Sequence, residues 1–359
     1  MSYIELLQER DALKVYNAGL PRFPRNFTRD SIISAILAED VEMMQDQLRF
    51  CALHQGQQND PKTGEEPGKI HHEFPGYPIR DLVTTYNACD AAAFYLIGHG
   101  WLQAHAPNEV FLEEYQASIA MAAGYIENHL NDSGLFEESP AYCGADHFAL
   151  NVTYWKDSVI LDRVSGEPIY PAVYTLAHLQ NLAGMRQAAI LLNSDHLQQV
   201  AKQMAHAIPQ LFDEQAGTFF SAVDGIGPIR AISSDALHGL FYLEPDDLTP
   251  EQVRSIELVS ERLESQIGYM LMTPEDGRRM ERNYHADTIW PFEQALIHAG
   301  AKKFGLERVM RVCRRVTRVM DSSSPELLSL RVIEPSIASN PQLWTIAAKE
   351  CFCQSYLYV

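Results

Sequence analysis

Apolar residues recur along this chain every three to four positions, a period that predicts helices almost everywhere. Ile32, Ile33, Ile36, Leu37, Val41, Met44, Leu48 and Cys51 form the first such stripe, and comparable stripes run through 109–130, 171–194, 195–212, 250–267, 290–304, 305–320 and 341–357. The alternation of a half-buried strand is scarce, with Phe219-Phe220-Ser221-Ala222-Val223 as the short candidate. Clusters of Gly, Pro, Asn and Asp at 59–68, 131–146 and 224–228 fall between the stripes. Polar chemistry therefore belongs to loops that join packed helices. Many helices of similar length with no fixed-period repeat disfavour an open solenoid, so the expectation is an all-α chain closed into a toroid.

Length and charge narrow the picture. The 359 residues carry no low-complexity linker, and one domain spanning 1–359 is expected. The formal charge, 28 − 47 = −19, repels phosphate backbones and anionic membrane surfaces, which argues against nucleic-acid and membrane partners. The start, Met1-Ser2-Tyr3-Ile4-Glu5, has no basic region or apolar stretch of an export signal, and a cytoplasmic location is expected. Six dispersed cysteines suit free thiols better than a disulfide framework.

Several familiar motifs are absent on inspection. Gly64-Glu65-Glu66-Pro67-Gly68-Lys69-Ile70 is one residue short of a phosphate loop and has Ile70 where Ser or Thr would hold magnesium. Gly225-Ile226-Gly227 lacks a third glycine and a preceding strand. His71-His72-Glu73 lacks the spacing of a zinc peptidase, and no G-x-S-x-G elbow occurs. Neither a cofactor nor a catalytic metal is expected, and composition does not indicate an oligomeric state.

What remains is a polar and aromatic set: Arg29, Asp30, Lys69, His72, Glu73, Asp90, Trp155, Lys156, Asp157, His285, Trp290, Glu326 and Trp344. Asn151-Val152-Thr153-Tyr154-Trp155-Lys156-Asp157 is its densest part. Sugars offer apolar faces that stack on indole and hydroxyls that need charged or amide partners, and cleaving a glycosidic bond needs a carboxyl group to protonate the leaving oxygen. Taken singly, Asp30, Asp157 and Glu326 also suit helix starts, where a carboxylate caps backbone N–H groups.

Order along the chain adds a resemblance. Phe27-Thr28-Arg29-Asp30-Ser31 resembles the "GRDS" entry of the bacterial amylo-α-1,6-glucosidase, or glycogen-debranching-type, catalytic domain. Leu53-His54-Gln55-Gly56, Asp60-Pro61 and Glu65-Glu66-Pro67-Gly68-Lys69-Ile70-His71-His72-Glu73 are similar to its "LA-x-QG … DP … EEPGKILHE" segment. Tyr86-Asn87-Ala88-Cys89-Asp90-Ala91 resembles "YGSVDAT", Trp155-Lys156-Asp157-Ser158 "GWKDS", Pro325-Glu326-Leu327 "LPELF", and Pro341-Gln342-Leu343-Trp344 "PQAW".

The resemblance implies an (α/α)6 toroid of about a dozen helices with a pocket at one end. It also implies an inverting glycosidase acting on α-linked glucosyl or similar residues, with Asp157 as acid and Glu326 as base. Their carboxyl groups would then lie about 6.5–9.5 Å apart to admit a water. Arg29, Asp30, Lys69, His72, Glu73, Asp90, Lys156 and His285 would bind substrate, and Trp155, Trp290 and Trp344 would line the pocket. Thr153-Tyr154 before Trp155, Asn87-Ala88-Cys89 for "GSV" and Leu328-Ser329-Leu330-Arg331 after the base depart from the pattern, and Glu293 and Glu334 are reserves for the base. The likeness starts near residue 20 without the large segment that often precedes this domain, so a small glycoside is expected as readily as glycogen. A glycoside phosphorylase, a sugar epimerase or a non-catalytic sugar-binding protein on the same toroid are the alternatives.

Overall fold

The computed structural model describes residues 3–157, 168–278, 283–320, 323–329 and 338–355. Twelve α-helices occur among them: α1 Thr28–Ala38, α2 Val41–Leu53, α3 Ala91–His105, α4 Glu109–Asn128, α5 Thr175–Leu191, α6 Asp195–Ala207, α7 Asp235–Gly239, α8 Pro250–Val259, α9 Pro274–Gly277, α10 Pro291–Lys303, α11 Glu307–Cys313 and α12 Leu343–Ser355. The first stripe of the sequence is two helices, not one. Glu39 takes a left-handed conformation (φ 54°) that ends α1, and the Asp40 side chain accepts from the Met43 N–H to start α2.

Two kinds of helix divide the work. In α1, α3, α5 and α10 buried residues cover nearly the whole circumference, polar ones included, as expected of helices surrounded by protein. By contrast α6 buries only Leu197, Val200, Ala201, Met204 and Ala207, one stripe on an otherwise wet helix. Packing follows this division. Helix α1 contacts α3, α3 contacts α5, α5 contacts α7, α7 contacts α10, α10 contacts α12, and α12 returns to α1. These six contact one another in a closed cycle, and α2, α4, α6, α8 and α11 each contact a member of it.

The sheets are small antiparallel pairs placed just ahead of the ring helices. Asn26–Phe27 pairs with Glu73–Phe74, Phe27 opposite Glu73; Val173–Tyr174 and Pro228–Ile229 flank Ala222–Val223; Thr288–Ile289 pairs with Leu328–Ser329. The strand expected over 219–223 is split. Phe219 pairs with Phe212 in one hairpin, whereas Ala222 belongs to the three-stranded sheet, because the Phe220 N–H goes to Leu211 and the Ser221 N–H to Ile229. All six cysteines carry free thiols. No helix among the described residues is long and apolar enough to cross a membrane.

Candidate active site

The ring gathers the charged residues at the starts of its helices. Arg29 and Asp30 lie in the first turn of α1, Asp90 immediately precedes α3, and Gln342 immediately precedes α12. Arg29 donates two hydrogen bonds to Asp90, from Nε at 2.9 Å and from a terminal nitrogen at 2.7 Å, and both side chains are buried. This two-pronged pair joins α1 to α3, and the Arg29 charge acts on two further carboxyl groups, Asp30 and Asp157.

Asp30 is the first of these. Burial pushes its carboxyl up to about 8, against the lowering effect of Arg29 and with the Glu326 charge adding to the rise. Gln342 Nε2 donates to its Oδ1 at 3.2 Å. A carboxyl that keeps its proton longer folded than unfolded makes stability fall as pH climbs from the unfolded value near 4 to the folded value near 8. Asp30→Asn should flatten that fall and stabilise the protein at pH 8 by on the order of 2 kcal/mol, read from denaturant unfolding at pH 5 and pH 8. An unchanged pH slope would contradict the assignment.

Glu326 is held on both oxygens. The Tyr284 hydroxyl donates to Oε1 at 2.5 Å and the Ser339 N–H to Oε2 at 2.8 Å. Burial still pushes its pKa up to about 7, opposed by those two donors and by Arg22, and raised further by the charge of Asp157. The pairing of Thr288–Ile289 with Leu328–Ser329 keeps the Tyr284 and Glu326 segments side by side.

Asp157 is different in kind. Its side chain keeps 43% of its surface accessible, yet loss of surrounding water pushes its pKa up to about 6. Arg29 and Arg22 oppose the rise and the Glu73 charge adds to it. A carboxyl group that is reachable but ringed by protein at short range has this combination of properties. His285 Nδ1 lies 3.6 Å from its Oδ1. Burial, then the charges of Lys156, Arg29 and Arg22, hold the His285 pKa well below its usual value, so this ring is neutral at pH 7.

Aromatic rings form one block behind these groups. The Trp155 ring meets His285, Trp290 and Phe292 edge-on at centroid distances of 5.7, 5.6 and 5.2 Å, while His285 stacks on Trp290 and Trp344 stacks on Phe292 at 3.9 Å. All three tryptophans are buried. The Trp290 indole donates to Thr288 Oγ1, while those of Trp155 and Trp344 have no acceptor among the described residues.

The other expected site residues are held by partners of their own. Lys156 turns away from Asp157 into the ring, where it lies 2.8 Å from Asp235, 3.0 Å from Ser234 Oγ and 3.8 Å from Glu293. Glu293 is fully buried there and accepts from Ser234 at 2.6 Å. Lys69 pairs with Glu66 at 2.8 Å under the rings of Tyr125 and Phe148. The His72 ring packs edge-on against Phe27, and Glu73 takes Arg25 at 2.5 Å and the Thr84 hydroxyl. Glu334 lies outside the described residues.

Three contributors carry no sequence signal of their own. Arg22 reaches over the Tyr284 ring and its charge acts on Asp157, Glu326 and His285, but no motif contains it. Tyr284 merely adjoins His285 in the chain, and Ser339 acts only through its backbone. Gln342 lies within the Pro341–Trp344 motif but is not among the expected site residues.

No protein-family model and no curated protein matches the chain by sequence. Solved structures do match its fold. A GH63 mannosylglycerate hydrolase from Thermus thermophilus in complex with glucose superposes with a TM-score of 0.68 at 13% identity, over 98% of both chains. The same enzyme with Tris and D-glycerate gives 0.67 at 13%, again over 98% of each. A GH78 family rhamnosidase of a Bacillus species gives 0.64 at 15%, over 95% of this chain and 33% of the other. The chain shares the largely helical fold of these glycoside hydrolases.

Proposed function

We propose that the chain is an inverting, exo-acting glycoside hydrolase on a single (α/α)6 toroid, cleaving α-linked glucosyl or similar residues from a small glycoside, with Asp157 as acid and Glu326 as base. The observation that carries this reading is the pair itself: two carboxyl groups with pKa values raised to about 6 and about 7, the charge of the first felt by the second. In the reaction, Asp157 gives its proton to the glycosidic oxygen as the bond to the anomeric carbon breaks. Glu326 takes a proton from the water that attacks the opposite face. The Tyr284 hydroxyl and Ser339 N–H fix the base toward that water. Arg29, Asp30 and His285 would hold hydroxyls of the sugar, with the fully buried Asp90 fixing Arg29 from behind.

In the free site the base has the higher pKa, the reverse of what the two roles require. The accessible Asp157 has water left to lose, so a sugar covering it raises its pKa, whereas Glu326 already lacks that water. Coverage by substrate therefore moves the proton of the pair toward the acid. A small substrate is favoured over glycogen because the neighbour matched over 98% of its own length is a mannosylglycerate hydrolase. An amylo-α-1,6-glucosidase activity is the variant implied by the motifs. Release of reducing sugar from a panel of α-glucosides and α-mannosides, with and without phosphate, tests the reading. Phosphate-dependent release would indicate a phosphorylase, and no release at all would indicate a binding protein.

Activity against pH should trace a narrow bell, because the working form carries one proton on the pair and is most populated between about 6 and 7. Arg22 lowers both members. Arg22→Gln should therefore move both limbs of the kcat/KM profile to higher pH, and an unmoved profile would remove Arg22 from the site.

A further inference from the structure

We propose that Glu66, His129 and Glu138 form a site for one divalent transition-metal ion of the zinc class, with a structural role apart from the Asp157 chemistry. The three residues come from separate stretches: Glu66 from the loop after α2, His129 from the C-terminal cap of α4, and Glu138 from the segment bridged to Ala172. One ligand atom from each lies within 4.8 Å of the others, and all three side chains are buried.

The imidazole decides the case. His129 Nδ1 lies 2.8 Å from the Tyr125 carbonyl oxygen, which can only accept, so Nδ1 carries a proton and, in the neutral ring, Nε2 presents a lone pair. Nε2 is 3.0 Å from Glu66 Oε2, yet among the described residues it has no hydrogen-bond partner, because a proton on Nε2 would not point at that oxygen. Two buried lone-pair atoms in van der Waals contact repel each other unless a cation lies beside the line between them. A histidine that donates from one nitrogen to a backbone carbonyl and offers the other is the usual arrangement of a metal ligand.

The surroundings fit the same reading. The second oxygen of Glu66 is taken by Lys69 at 2.8 Å, leaving Oε2 for an ion. Glu138 is oriented by the Ser139 N–H at 3.2 Å and the Thr153 hydroxyl at 3.3 Å. Lys69 balances one of the two carboxylates and faces the rings of Tyr125 and Phe148, so it does not neutralise the group. One nitrogen and two carboxylate ligands suit zinc better than calcium or magnesium, which prefer all-oxygen shells. Binding at about 2.1 Å from each ligand sets the ligand atoms about 3.4 Å apart, which slightly opens the 3.0 Å Glu66–His129 contact and draws Glu138 in. An ion there ties the loop that leads to His72 and Glu73 to α4, where Gly68 already passes so close to Met121 that a Cβ would meet its carbonyl oxygen.

The test is zinc binding by tag-free, metal-stripped protein, followed by calorimetry and elemental analysis after dialysis. About one equivalent is expected in the wild type, with affinity reduced at least about 100-fold in His129→Gln and Glu138→Gln and unchanged in the exposed-site control His105→Ala. Absence of tight zinc from folded wild type, or equal binding by His129→Gln, overturns the proposal and leaves His129 Nε2 in direct contact with Glu66 alone. Should the variants fail to fold, wild-type melting decides. A Tm that rises with zinc and falls with chelator supports the site, and a zinc-independent Tm overturns it.

Discussion

Asp157→Asn is expected to lower turnover by about 10²–10⁴-fold while leaving sugar affinity largely intact. The amide keeps the size and hydrogen-bonding reach of the carboxyl but has no proton to give the departing oxygen. Since Asp157 is accessible and its pKa is raised, the substitution removes an unfavourable ionisation and should not destabilise the fold. Glu326→Gln should cost a similar factor, because an amide between the Tyr284 hydroxyl and the Ser339 N–H cannot accept the proton of a water. A glycosyl fluoride separates the two roles. Its leaving group needs little protonation, so it should rescue Asp157→Asn more than Glu326→Gln. Rescue of Glu326→Gln instead would exchange acid and base, the order that the free-site pKa values favour.

Arg29→Met should destabilise the protein by about 3–5 kcal/mol, the largest loss expected of any single change at the site. Burial alone lowers the Arg29 pKa, but the charge and hydrogen bonds of Asp90 and the charge of Asp30 outweigh it. Removing the guanidinium strands Asp90, whose side chain has no accessible surface, as a lone buried carboxylate and also removes a cation that restrains Asp157 and Asp30. Urea unfolding at pH 7 measures the loss, and the double variant Arg29→Met, Asp90→Leu should recover much of it. A loss under about 1 kcal/mol, the range of an exposed ion pair, would mean that the pair is not what joins α1 to α3.

The sequence shows most of the helices, the buried α1, α5 and α10 included, but misses α3. Stripes such as that of α6 announce themselves because only one face is apolar, whereas α3, buried around its circumference from Ala91 to His99, shows no stripe to mark it as a helix. The boundary inside the first stripe depends on Glu39 turning left-handed, which composition does not reveal. At the site, carboxyl groups and indoles are readable because their chemistry is specific, but direction is not. Lys156 adjoins Trp155 and Asp157 in the chain and Lys69 shares a motif with His72 and Glu73, yet one turns to Asp235 and the other to Glu66, since each follows the nearest buried negative charge. Arg22 lacks any motif and enters only because the fold brings it over Tyr284.

A pair of carboxyl groups working from opposite faces of a sugar is the central claim, and the configuration of the first product reports on it directly. Proton NMR during hydrolysis of α-configured glucosyl, mannosyl and rhamnosyl fluorides shows which anomer of the free sugar appears before mutarotation. Build-up of the inverted β-anomer, abolished in Glu326→Gln, is the predicted result. First appearance of the retained α-anomer would require a covalent intermediate and would contradict the roles assigned to Asp157 and Glu326.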